Sequence, residues 1–320
     1  MTGKTYDIIP DIHGQYEKLT HALSGLGYRE HHGAWRHPDP LRSCLFLGDF
    51  IDRGPRNGDV IRLVRTMLDA GTAQAVMGNH ELNAIHFHSQ DPETGTPLRP
   101  WSAKNLRQHH SFLQEFTPGS PATQEAISWM QGLPLFLELD GFRAVHACWD
   151  EARIDKLGQH TATGVLSEAQ LMQVADPKHV LNDLVETITK GPDVPLPNGH
   201  RFADKDGHIR TEVRVKWWNA SGKSWADIAM SVPTPNALPT GALPKNVTAM
   251  AYPAGAKPVF FGHYWLTGTP VLQAPNALCL DYSAGKDGPL ISYQMHPESQ
   301  ITLKNMSYPN VNPPQTEALI

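Results

Sequence analysis

Asp11 and His13, Asp49 with Asp52 and Arg53, Asn79 and His80, His146, and His263 each follow an apolar run and stand in or beside a glycine-containing turn. Carboxylates, imidazoles and an amide drawn into one crevice would repel or remain underused unless a cation lay between them. Oxygen and nitrogen donors without thiolate suit Mn²⁺, Fe or Zn²⁺ rather than a soft metal. Taken singly, each of these residues reads as a cap, a turn residue or a satisfied core histidine. Jointly, they have no common structural cause other than a shared site.

The elements that must position them follow from hydrophobic periodicity. "YDIIP" runs into "DIHGQYEKLTHALSGLG", where Leu19, Leu23 and Leu26 recur at helical spacing and Gly27 suits the stop. "CLFLGDFIDRGPRNG" leads to a helix with Ile61, Val64 and Leu68 on one face, and "AQAVMGNH" leads into "ELNAIHFH". Strands alternating with helices imply right-handed crossovers and a largely parallel sheet. In such sheets ligands bind beyond the carboxyl ends of the strands, where these turns converge. Later, "LFLELDGFRAVHA" reads as a hairpin around Asp140-Gly141, and "PVFFGHYW", "ALCLDYS" and "PLISYQM" read as further short strands. The expected fold is α/β, with two packed mixed β-sheets flanked by helices in a four-layer α/β/β/α sandwich. Residues 1–320 form one domain in this reading. Residues 151–256 form an insertion over one face, containing a helix that starts at Asp176-Pro177 and a strand "HIRTEVRVKWW".

The segments "PDIHG" (10–14), "GDFIDRG" (48–54), "GNHE" (78–81), "VHA" (145–147) and "GH" (262–263) resemble, in order, those of the calcineurin-like metallophosphoesterases. The resemblance lies near the branch of serine/threonine protein phosphatases and bacterial diadenosine tetraphosphatases. It covers the chain outside 151–256. It implies that Asp11 and His13 hold a first metal, that Asp49 bridges two, and that Asn79, His146 and His263 complete the second. It further implies that His80 protonates the leaving group, that Asp52 orients His80 and that Arg53 clamps the phosphate. The chemistry is coherent, because a phosphoester is guarded by negative charge that two divalent cations would offset. Asn79 adds an oxygen ligand without adding charge, and Arg53 offers a planar fork for two phosphoryl oxygens. Pro10 stands where the family usually carries glycine, and "GHYW" lacks the second histidine of the more distant "GHxH" enzymes.

Three functional readings follow. The first is a two-metal phosphomonoesterase that uses a metal-bridging water or hydroxide, with Mn²⁺ as the expected metal and Fe or Zn²⁺ as alternatives. The second is a hydrolase of dinucleoside polyphosphates, with Arg214 and Trp217 in a basic-aromatic strip as substrate contacts. The third is a disabled phosphopeptide-binding scaffold, against which every expected ligand type is still present. The substrate is accordingly a phosphorylated small molecule, a nucleotide or a phosphoprotein. His86, His88, His109 and His110 read as solvated or packed side chains.

Composition narrows the setting. Apolar residues at 40% and charged residues at 18% fit a globular chain, and a net charge of −5 gives no reason to expect strong nucleic-acid binding. The three cysteines form no close pairing, which suits a reducing compartment. The N-terminal stretch lacks the apolar core of a signal peptide, and no apolar run approaches the ~20 residues of a membrane helix. The expectation is a cytoplasmic protein without membrane partners.

Overall fold

The computed structural model describes residues 3–204, 207–297 and 300–307. Its larger sheet runs in the order Met306–Ser307, Ser292–Met295, Thr5–Ile9, Arg42–Phe46, Ala73–Ala75. Thr5–Ile9, Arg42–Phe46 and Ala73–Ala75 are parallel, whereas Ser292–Met295 pairs antiparallel with Thr5–Ile9. The second sheet has the order Ala277–Cys279, Val259–Phe261, Arg143–Val145, Phe136–Glu138. It is also mixed, the hairpin Phe136–Glu138/Arg143–Val145 being its antiparallel part.

Period-two alternation builds the layers. Ile8 and Leu45 from the first sheet meet Ala144, Phe260 and Leu278 from the second in one buried cluster. Their neighbours Ile9, Cys44, Phe46, Val145, Val259 and Phe261 point the other way and join the helical core. Each sheet is thus covered by its partner on one face and by helices on the other, as the strand and helix patterns require. Each fully buried aliphatic side chain contributes roughly 1.5–3 kcal/mol. Helix Tyr16–Gly25 buries Leu19, Ala22 and Leu23, and helix Asn57–Asp69 buries Val60, Ile61, Val64 and Met67. Helix Asn79–His88 begins where the short strand Ala73–Ala75 has ended, so Asn79 and His80 occupy its first turn. No helix is long and apolar enough to cross a membrane among the described residues.

The 151–256 segment is more divided than the sequence suggests. Helices Glu151–Gly158, Glu168–Val174 and Val180–Lys190 pack Ile154, Leu157, Leu171, Leu184 and Ile188 into the main core. Beyond them Val194, Phe202, Val213, Trp225 and Ile228 make a small core of their own. The helix expected from Asp176-Pro177 starts only at Val180. Asp176 instead accepts the Lys178 N–H at 2.9 Å in a local turn, and His179 Nδ1 caps the helix through the Leu181 N–H. The expected single strand at 208–218 is two short ones, Ile209–Arg210 and Glu212–Arg214, which pair with different partners. Its alternation survives at the buried Val213, Val215 and Trp217, but Ile209 is exposed.

Candidate metal centre

The turns beyond the parallel strands are locked to one another by backbone hydrogen bonds. Ile12 and His13 N–H both donate to the Asp49 carbonyl, at 3.0 and 2.8 Å, and Gly262 N–H donates to the His146 carbonyl at 2.8 Å. Left-handed backbone concentrates here: His13, Asp49, Asp52, Arg53, His263 and Trp265 have φ between 50° and 75°. L-residues reach that region at a cost of roughly 1–2 kcal/mol each, and such strain gathers where function overdetermines geometry. Close approach adds a second constraint. A Cβ on Gly262 would lie 1.9 Å from Asp11 Oδ1, so only glycine lets that strand end reach Asp11.

Asp49 is the centre of the cluster. Its Oδ2 lies 3.6 Å from His13 Nε2 and 3.4 Å from His146 Nε2, while Oδ1 accepts the His80 N–H at 2.9 Å. The two imidazoles turn Nε2 toward Asp49, where each can offer a lone pair once that nitrogen carries no proton. His13 Nδ1 donates to the Ile51 carbonyl at 2.9 Å and His146 Nδ1 to the Leu47 carbonyl at 2.7 Å, which leaves Nε2 of each as an acceptor in the neutral ring. Metal-ligating histidines are characteristically oriented in this way, with the second nitrogen held by a backbone carbonyl. His13 Nε2 is buried without a hydrogen-bond partner, and Asn79 Oδ1 lies 3.2 Å from His146 Nε2 and 2.7 Å from His263 Nδ1. Two sets, His13/Asp49/His80 and Asp49/His146/His263, each bring their ligand atoms within 4.8 Å of one another. The residues therefore fit divalent cations, with Asp49 common to both sets.

Electrostatics agree. Burial raises the Asp49 carboxyl, but His146 and His80 outweigh it and hold Asp49 well below the ordinary carboxylate range. Burial lowers His146, yet Asp49 beside it pushes the imidazole up to about 10. That affinity for positive charge is what a divalent cation would use, displacing the proton. His13, buried and facing His80, is pushed down to about 3 and so keeps its lone pair across the physiological range.

The other expected residues are placed as follows. Asp11 is fully buried, and both its oxygens accept the His263 N–H at 3.1 Å, so its carboxylate faces the 262–263 turn rather than joining either ligand set. His80 Nδ1 meets Asp52 Oδ2 at 2.5 Å. Arg53 is exposed and lies over the Trp265 ring with Cζ 3.9 Å from its centre. Among the described residues no carboxylate makes an ion pair with it, which leaves its fork available. Arg214 reaches the site, with Nη1 3.2 Å from His263 Nε2, but its Nε and Nη2 edge donates to Asp193 at 2.7 and 2.8 Å. Trp217 does not carry the stacking role expected of it. It is wholly buried, and its indole N–H donates to Ala147 O and to the Tyr264 hydroxyl. The alternation placing Trp217 with Val213 and Val215 had already put it on the core side.

Three residues beyond the expected set hold the site together. Glu81 accepts N–H groups from Asp49, Phe50 and Gly78 at 2.8, 2.8 and 3.0 Å, although burial and Asp49 raise its carboxyl to about 7. Asp281 accepts from Trp265 N and Ser283 N at 2.7 and 2.9 Å, and burial raises it to about 6. His109 Nδ1 lies 2.8 Å from the remaining Asp52 oxygen. Glu81 and Asp281 had a signal in sequence, each being an acid at the edge of an apolar run. His109 had none, because a short helical stretch after a loop carries no register against residue 52.

Residues 5–264 match the calcineurin-like phosphoesterase family. An asymmetrical bis(5′-nucleosyl)-tetraphosphatase of Halalkalibacterium halodurans is 47% identical over 75 residues, 23% of this chain and 30% of that protein. One of Oceanobacillus iheyensis is 40% identical over 171 residues, 50% of this chain and 62% of that protein. The chain spans 30 to 64% of the length of the curated relatives it matches. A serine/threonine phosphatase structure from Saccharomyces cerevisiae covers 96% of this chain and 79% of its own, at 13% identity and a TM-score of 0.50, and so shares the fold. Because the family match runs over most of the chain and takes in every turn that bears the expected ligands and the helical segments between them, the chain belongs to the calcineurin-like phosphoesterase family.

Proposed function

We propose that this chain hydrolyses dinucleoside polyphosphates at a two-metal centre. The phosphomonoesterase reading, placed first on sequence grounds, becomes the second, because the curated relatives described above are named for bis(5′-nucleosyl)-tetraphosphates. The observation in the structure that carries the proposal is a meeting of clefts. A cleft of about 900 Å³ lined by Phe202, Met230, Arg214 and Trp265 and one of about 560 Å³ lined by Arg53, Trp265 and Lys286 share Trp265. A third, of about 360 Å³ and lined by His80, Lys104 and Arg107, shares Arg53 with the second. A substrate with central phosphates and a nucleoside at either end can use more than one of these; a phosphomonoester needs one.

His13 and Asp49 would hold one divalent cation, with the Asp11 carboxylate turned from the His263 N–H to join them, and Asp49, Asn79, His146 and His263 the other, with Mn²⁺ as the expected metal. Bound there, the cations supply positive charge to the phosphoryl oxygens and lower the pKa of an attacking water. The chain's own groups do the rest. Arg53 binds phosphoryl oxygens through its free fork, and Trp265 beneath it fixes the guanidinium plane. As the water oxygen bonds to phosphorus and gives up a proton to solvent, the bridging P–O bond breaks and His80 gives a proton from Nε2 to the departing oxygen while Asp52 holds Nδ1; solvent then reprotonates His80. We further propose that residues 193–256 form a cap on a single catalytic domain.

The test is a Mn²⁺-supplemented assay comparing diadenosine tetraphosphate with an aryl phosphate. The expected kcat/KM for the dinucleotide is higher by about a hundredfold, since only it draws binding energy from several clefts. Asp49→Asn and chelation should each abolish both activities. A preference for the aryl phosphate would overturn the substrate assignment, and full turnover by Asp49→Asn would overturn the two-metal centre.

A further inference from the structure

The Asp52 carboxylate is shared between two imidazoles. Oδ2 meets His80 Nδ1 at 2.5 Å and Oδ1 meets His109 Nδ1 at 2.8 Å. The peptide N–H of Asp52 donates to Asn57 Oδ1 at 2.6 Å, so the residue is held from the backbone side as well. On the far side of His109, its Nε2 lies 3.1 Å from His88 Nε2. A carboxylate only accepts, so His109 Nδ1 is the donor to Asp52. In the neutral ring, Nε2 of His109 then accepts from His88. The hydrogen bonds thus converge on Asp52, from His88 through His109 on one side and from the proposed proton donor His80 on the other.

His109 itself is buried at 5% exposure. Its ring stacks on Phe112 with centres 4.6 Å apart and 16° between planes, and Phe87 closes another side at 5.0 Å. The cavity that His80 and His109 line together with Asp52, Phe87 and Arg99 has a volume of about 10 Å³, too little for any substrate group. His109 therefore acts through Asp52 rather than on substrate. It also restricts Asp52, because a carboxylate free to rotate could turn Oδ2 away from His80, whereas one pinned at both oxygens cannot.

We propose that His109 is a positioning residue, which by donating to Asp52 fixes the orientation of His80 for proton transfer to the leaving oxygen. This rests on the reading of His80 as that donor. The burial that lowers His88 to about 4 keeps that ring neutral, in keeping with its donating one N–H toward His109.

The test exploits leaving-group basicity. A correctly aimed acid matters most for a poor leaving group, so phenyl phosphate and 2,4-dinitrophenyl phosphate are compared with the full chain in Mn²⁺. His109→Leu should slow phenyl phosphate about tenfold more than the dinitrophenyl ester, in line with the contribution of general acid catalysis. His109→Asn, whose amide N–H can replace the Nδ1 donor, should bring the ratio of the two rates back to within about threefold of the parent. The ratio is independent of the fraction of folded protein, so a poorly folding variant still reports. In parallel, the low-field proton resonance of the His80–Asp52 hydrogen bond should disappear in His109→Leu and return in His109→Asn. Equal slowing of both esters by His109→Leu, with the low-field proton unchanged, would overturn the inference. His80→Gln distinguishes the two levels: if it too slows both esters equally, the reading of His80 as proton donor fails; if it slows phenyl phosphate preferentially while His109→Leu does not, only the role of His109 fails.

Discussion

Pro10 stands at the end of a central strand, one residue before Asp11, where a missing backbone donor would ordinarily be costly. The ladder shows why it is tolerated. Leu47 N–H donates to the Ile9 carbonyl, and the next bond runs from Ile12 N–H to the Asp49 carbonyl, so position 10 has no donor to supply. Proline also holds Ile9 in extended backbone, which suits a strand end. Pro10→Gly should therefore lower stability by roughly 0.4–1 kcal/mol through the freer unfolded chain, and leave kcat/KM within a few-fold. Denaturant midpoints and steady-state rates check both parts. A large gain in activity would show instead that the proline restrains the first ligand turn. At this scale the sequence was most legible where a residue's role depends on its own turn. That Asp49, His80 and His146 meet in one cluster could be read from their motifs, whereas the place of His109 could not, because it lies in a contact 57 residues away in the chain.

At the scale of the element, the turns matter more than the strands they follow. The backbone of the 49–53 turn is left-handed at Asp49, Asp52 and Arg53, and it is held there from outside. Glu81 clamps the N–H groups of Asp49 and Phe50, and Asn57, itself bonded to Glu115, clamps that of Asp52. Strand and helix positions were legible because burial imposes periods of two and 3.6. Left-handed turns leave no periodic trace, and neither did the late start of the helix at Val180. The strain can be measured at Arg53, which is exposed and has φ 70°. Arg53→Ala and Arg53→Gly both remove the guanidinium, so both should lose activity, yet the glycine variant should be the more stable by roughly 0.5–1 kcal/mol. Urea unfolding of the pair isolates the backbone contribution. Equal midpoints would mean that the turn stores no strain at this position.

At the scale of the whole molecule, the described residues bury three separate apolar clusters: one under the helices, one between the sheets, and a small one formed by residues 194–247. The last was the least legible part of the sequence, since short strands and proline-rich loops give periods too brief to read, and its two-stranded sheets border the 900 Å³ cleft. A core of that size has little stability in reserve. Trp225 is 1% exposed within it, and truncating a buried tryptophan to alanine costs roughly 3–5 kcal/mol. Trp225→Ala should therefore open the parts of residues 193–250 that carry the small cluster while the two large clusters, one of which holds Trp217 and Trp218, remain intact. Hydrogen exchange would then rise across that segment and stay low in Thr5–Ile9 and Val259–Phe261. Since that segment supplies much of the cleft wall but no expected metal ligand, KM for diadenosine tetraphosphate should rise about tenfold while the rate on an aryl phosphate stays within about threefold, as expected when binding away from the reacting centre is lost. If Trp225→Ala instead unfolds the chain in one cooperative step, the segment is part of the catalytic body and the cap assignment falls; if the segment opens and both substrates suffer alike, the large cleft does not bind the dinucleotide.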